Sequence, residues 1–115
     1  MKKNHMDFFA ICRQLASKSH HSRFRHGSIA VHRRSSIVGR GYNRNNIHAE
    51  VSAIKSIDKY PRYDNLVVYV CRVNSQGGYV NSSPCAKCVD FMQHNGVCRV
   101  YFSDSSGFSK IIFKN

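Results

Sequence analysis

No apolar run in this chain approaches the ~20 residues that a membrane-spanning helix needs. Nor does the basic start, Met1-Lys2-Lys3-Asn4-His5, lead into the apolar core and cleavage site of a secretory signal, because Asp7, Arg13 and Gln14 interrupt Met6 to Leu15. There is no internal repeat and no low-complexity block. The cysteines number 5, so they cannot all pair within the chain. A secreted disulfide scaffold is thereby disfavoured and a reducing compartment favoured. These absences lead us to expect a soluble, cytoplasmic protein with no membrane partner. Apolar residues make up 42% of the 115, which excludes disorder or collagen-like repetition as the main state. That length is one domain, 1–115, with no room for a second.

Acid is also scarce, at 6 Asp and Glu against 18 Lys and Arg, for a net charge of +12. The imbalance is concentrated. Residues 1–44 hold Lys2, Lys3, Arg13, Lys18, Arg23, Arg25, Arg33, Arg34, Arg40 and Arg44, with Asp7 as the lone acid. Two explanations stand: an anionic partner such as a phosphate, nucleotide or nucleic acid, or plain solubility.

Periodicity supplies the elements. Phe8, Ile11, Cys12 and Leu15 share one face of a helix over Asp7–Ser17. Ser28–His32 and Ile37–Tyr42 read as a hairpin joined by Arg33-Arg34-Ser35-Ser36. Gly39 and Gly41 in its second strand imply close backbone approach. A second helix spans His48–Ile57, and Pro61 closes that region. Leu66–Cys71, apolar throughout, is a strand covered on both faces. Arg72–Pro84 reads as a loop and Cys85–Asn95 as a third helix, which Gly96 stops. Cys98–Phe102 and Ile111–Phe113 are the last strands. The result is an α/β fold with five strands. The third and fourth, joined through a helix, must be parallel. The connection Ser103–Lys110 is too short for a crossover, so the fourth and fifth should be antiparallel.

The chemistry sits where two helices begin. Cys85 and Cys88, in Pro84-Cys85-Ala86-Lys87-Cys88, are spaced so that both sulfurs can face one point. His48 supplies a nitrogen from the other helix. Three protein ligands leave zinc the open position of a catalytic site. No second Cys-x-x-Cys completes a closed structural one. Glu50, two positions beyond His48, is not needed as a ligand. It can take a proton from metal-acidified water and pass it on.

In these motifs the chain resembles the cytidine and deoxycytidylate deaminase superfamily. His48-Ala49-Glu50 followed by Pro84-Cys85-Ala86-Lys87-Cys88 matches the zinc deaminase pattern. Gly41-Tyr42-Asn43 and Gly96-Val97-Cys98-Arg99-Val100-Tyr101 support the match. The resemblance implies a three-layer α/β/α fold and Zn2+ held by His48, Cys85 and Cys88. It implies that Glu50 shuttles protons, that Asn43 contacts base or sugar, and that the Ala49 amide and Ser83 carbonyl bracket the pyrimidine edge. Arg25 corresponds to positions near the substrate mouth, although a solvated loop explains it equally well. The implied reaction is hydrolytic conversion of cytosine to uracil with release of ammonia. The family habit implies a homo-oligomer, in which a partner could close the pocket.

Two departures bear on substrate. Only Arg44, Asn45, Asn46 and Ile47 separate Asn43 from His48, where deoxycytidylate deaminases carry a longer insertion. Deaminases of tRNA and polynucleotides place a helix where this chain has the short Ser103–Lys110 connection, which resembles the free-cytidine branch. Three hypotheses follow: an enzyme on free cytosine nucleosides or nucleotides, an enzyme on cytosine or adenine in single-stranded nucleic acid or tRNA, and a zinc-bearing binding module without catalysis. Topology favours the first and charge the second, while Glu50 speaks against the third. Plainer roles suit other residues. Cys12, Cys71 and Cys98 read as core thiols. Tyr42, Tyr69 and Tyr101 read as sheet packing, and His20, His21 and His26 as solvated or phosphate-facing side chains.

Overall fold

The computed structural model describes residues 4–20, 23–33, 36–44, 47–58 and 63–113. His21, Arg34, Ser35, Asn45, Asn46 and Pro61, all used above, lie outside them.

Helix α1 (His5–Ala16) starts ahead of the expected Asp7 because Asn4 caps it. The Asn4 side chain accepts from the Asp7 N–H at 3.0 Å, and the Asp7 carboxylate accepts from the Asn4 N–H at 2.9 Å. This reciprocal box satisfies two amides that would otherwise lack partners. The helix buries Phe8, Phe9, Cys12, Leu15 and Ala16.

Strands β1 (Arg25–His32) and β2 (Ser36–Tyr42) form the expected antiparallel hairpin, with Gly27 opposite Tyr42 and a bulge between Ala30 and Val31. β1 begins at Arg25 rather than Ser28, since Arg25, His26 and Gly27 already pair with Val73, Arg72 and Cys71. Helix α2 (Ala49–Lys55) follows, with His48 as its N-cap residue and Ser56 as its C-cap.

Strand β3 (Leu66–Val73) is central, antiparallel to β1 and parallel to β5 (Val97–Asp104). Helix α3 (Ala86–His94) crosses between them, with Cys85 at its N-cap. Gly96, at φ 84°, ends it as expected. Strand β6 (Gly107–Ile112) pairs antiparallel with β5 from Asp104–Gly107 outward. The Asp104 carboxylate ties this turn by accepting from the Ser109 hydroxyl at 2.7 Å and the Ser106 N–H at 2.9 Å, and these bonds hold its carboxyl below the usual range.

Two expectations need correction. The sheet has six strands, not five, because Tyr79–Val80 forms a short β4 against the end of β3. Asn74 makes that return possible, its side-chain oxygen accepting from the Gln76 and Gly78 N–H groups at 3.0 and 2.9 Å. The last strand runs Gly107–Ile112, not Ile111–Phe113. It is an edge strand whose exposed Ser109 and Lys110 dilute its apolar signal.

The sheet order is β2-β1-β3-β5-β6, with β4 beside β3. Alternation along β3 divides the interior. Tyr69, Cys71 and Val73 face α1 with Phe8, Phe9 and Cys12. Val68 and Val70 face the other way, packing with Ile54 of α2 and Met92 of α3. The architecture is α/β/α in three layers, as the resemblance implied, and burial of each such side chain contributes roughly 1.5–3 kcal/mol.

Candidate metal centre and active site

Helices α2 and α3 lie on the same face of the sheet, and their first turns meet. His48 and Cys85 are the two N-cap residues, both extended, and neither side chain bonds to its own helix. Each is therefore free to point across the gap between helices. Cys88, one turn into α3, is buried and aims at the same place. The His48 Nδ1 atom lies 3.1 Å from Cys88 Sγ and 3.8 Å from Cys85 Sγ. All three ligand atoms fall within 4.8 Å of one another. Tetrahedral zinc, with bonds of about 2.0–2.3 Å, needs its ligands roughly 3.5 Å apart, so the group is close to the required size. Among the described residues no other group of three His, Cys, Asp or Glu converges this way.

The electrostatics agree. Burial pushes the Cys88 thiol up, and the negative charge of Glu50 and the neighbouring Cys85 raise it further. A divalent cation opposes each of these causes and draws the thiolate out. Glu50, only 4% exposed, stands beside this group without belonging to it. Burial raises its carboxyl above the usual range. Its own backbone N–H, the charge of His48 and a contact with Cys88 act in the opposite direction.

These residues form one wall of an open cleft of about 620 Å³, to which His48, Ala49, Glu50, Ser83 and Cys85 all contribute. Ala49 is fully buried, while Ser83 is exposed and donates its N–H to the Asn81 side chain at 2.9 Å. Asn43 lines the cleft as well, with its carboxamide engaged by the protein. Its oxygen accepts from the His26 N–H at 2.8 Å, and its nitrogen donates to the Phe24 carbonyl. It thereby clips the end of β2 to the start of β1.

Arg25 is placed differently from the sequence expectation. Phe24 and His26 line the cleft but Arg25 does not, because side chains alternate along β1. His20 and His26, read above as solvated or phosphate-facing, are cleft residues, as are Arg44, Ile47 and Ser82. Phe24 was missed altogether. The residue is 43% exposed, with the Arg72 guanidinium 4.3 Å from its ring centroid. A lone aromatic between Arg23 and Arg25 in a polar segment was the available signal. Tyr69 and Tyr101 stack at 5.0 Å on the α1 side of the sheet, in keeping with a packing role.

Residues 2–104 match the model of the family described as the cytidine and deoxycytidylate deaminase zinc-binding region. No curated protein is significantly similar to the chain. Among solved structures, the dCMP deaminase of cyanophage S-TIM5 in apo form is 21% identical, with a TM-score of 0.67 over 84% of this chain and 79% of that one. The same phage enzyme in complex with dCMP and dUMP gives 0.66 at 18% identity, over 89% and 83%. The cytidine deaminase of Mycobacterium leprae is 18% identical, with a TM-score of 0.65 over 94% of each chain.

Proposed function

The chain belongs to the cytidine and deoxycytidylate deaminase family of zinc-dependent hydrolytic enzymes, and from that premise we propose that its substrate is cytosine in a free nucleoside or nucleotide, ribose or deoxyribose. Water replaces the C4 amine, giving uracil and ammonia. His48, Cys85 and Cys88 hold the zinc. When bound, zinc supplies the Lewis acidity that makes water a nucleophile near neutral pH. Glu50 takes a proton from the attacking water and gives it to the ring nitrogen, then takes the remaining proton of the new C4 hydroxyl and gives it to the departing amine. The Ala49 amide and the Ser83 carbonyl, on opposite helical approaches to the cleft, orient the pyrimidine edge. Asn43 holds the wall against which the sugar rests.

The observation that carries the choice of a free substrate is the β5–β6 hairpin. Ser105 and Ser106 alone join two antiparallel strands, as in the free-cytidine branch that the sequence resembles. The net charge of +12, with Arg44 and His20 on the cleft, favours the alternative of single-stranded nucleic acid or tRNA. Incubation of zinc-loaded protein with nucleosides, nucleotides and short oligonucleotides, read by mass spectrometry for the amine-to-carbonyl change, tests the two. Turnover confined to oligonucleotides overturns the first. We further infer a homo-oligomer in which a neighbouring copy narrows the cleft. We also infer a reducing, cytoplasmic setting, because the cysteines number 5 and cannot all pair within the chain. Among the described residues no helix is long and apolar enough to cross a membrane.

A further inference from the structure

Ser82 and Ser103 are buried, at 3% and 0% exposure, and neither belongs to the motifs that carry the chemistry. Together they make a knot of hydrogen bonds. The Ser82 main-chain N–H donates to the Ser103 carbonyl at 2.8 Å. The Ser103 N–H donates back to Ser82 Oγ, also at 2.8 Å, so a side-chain oxygen stands where a paired strand would offer a carbonyl. Ser103 Oγ accepts from the Arg72 N–H at 3.1 Å and donates to the Val80 carbonyl at 2.8 Å. Each hydroxyl has one proton. With that of Ser103 used, the Ser82 proton goes to Ser103 Oγ at 2.9 Å or to the Val70 or Ser103 carbonyl, each at 3.1 Å. The knot therefore joins β3, β4 and β5 to the segment that follows β4.

That segment has no regular structure of its own, and it leads through Ser83 and Pro84 into Cys85. Downstream, α3 is seated by Cys88 and Met92. Upstream, the two serines fix it. Buried hydroxyls add little to stability over apolar side chains, because their bonds replace bonds to water. What they add is direction, since each bond permits one arrangement of the strands it joins.

We propose that the Ser82–Ser103 pair is a positioning device for the active site. It sets where the Ser83 carbonyl and Cys85 Sγ stand relative to the ends of β3 and β5. The proposal rests on the reading of Cys85 as a metal ligand and Ser83 as a substrate contact.

Ser82→Ala and Ser103→Ala test it, each prepared with zinc and, separately, with Co2+ as an optical probe of the ligands. Rates are divided by bound metal, so a smaller folded fraction does not register. In both variants kcat should fall about 10-fold to 100-fold, the effect of a displacement near 1 Å at a reacting centre, while KM changes less. The thiolate-to-cobalt absorption should shift from that of the unaltered protein. Ser82→Thr, which keeps the hydroxyl, should recover most of the rate and the original absorption. Lower melting temperatures with unchanged kcat, KM and absorption would overturn the proposal and leave the pair a packing element. Where Ser103→Ala does not fold, Ser82→Ala carries the same readouts. If neither folds, the pair serves the fold and the proposal fails. Absence of thiolate–cobalt absorption in the unaltered protein would overturn the ligand reading, and this proposal with it.

Discussion

Glu50 is a carboxylate buried beside the Cys88 sulfur, a place where packing alone would favour an apolar side chain. Glu50→Gln keeps its volume and removes its ability to exchange protons. Turnover should fall by about 10²–10⁴, while zinc content by elemental analysis stays at that of the unaltered protein. Cys85→Ser acts on the other half of the site. It should lower zinc content and melting temperature together, because the metal's binding energy is part of the folding energy. A variant that kept its zinc would remove Cys85 from the ligand set. The residues behind these two predictions were legible in the sequence, since a helical spacing of two cysteines and one His-Ala-Glu step define the group almost without tertiary information. The rest of the cleft was not. Whether Arg25 or its neighbours Phe24 and His26 face the substrate depends on the register of β1 against β3, and nothing in the local sequence sets that register.

The helices are seated by glycines in the strands beneath them. A Cβ on Gly27 would stand 1.9 Å from the Cys12 carbonyl oxygen in α1, and one on Gly41 would stand 2.4 Å from the Ala53 nitrogen in α2. Alanine at either position must push a helix off the sheet, costing about 1–3 kcal/mol. The two should differ in one respect. Gly41→Ala displaces α2, whose N-cap residue is His48, so it should weaken zinc binding as well as fold stability. Gly27→Ala displaces α1 on the opposite face and should lower stability alone. Metal titration beside thermal melting separates them, and equal zinc affinities would refute the difference. The close approach at Gly39 and Gly41 was readable from the sequence, as was the doubly covered β3. Strand β4 was not, because two residues carry no period, and its existence depends on how Asn74 folds the chain back. The outer strand β6 was misplaced because it is an edge strand, where the exposed Ser109 and Lys110 interrupt its apolar run.

At the scale of the molecule, charge and topology pull toward different substrates. If the cleft takes a polymer, affinity should fall by about 0.7 log units per log unit of salt for each phosphate held. For free cytidine the apparent KM should hardly move with salt. We expect the second pattern. Productive deamination of an oligonucleotide with steep salt dependence and idle monomers would reverse the choice, whereas oligonucleotide binding alone would not, since a chain of charge +12 attracts polyanions regardless. The α/β class was visible in the alternation of helix and strand and the three-layer plan in the family resemblance, but neither revealed how completely the sheet would divide the interior. One set of buried side chains belongs to α1 and the other to α2 and α3, and the candidate zinc ligand Cys88 belongs to the second. The two sides should then open separately. After a chelator strips the metal, deuterium should enter the amides of α2 and α3 well before those of α1, so that the enzyme loses its chemistry while half of it still keeps its protons.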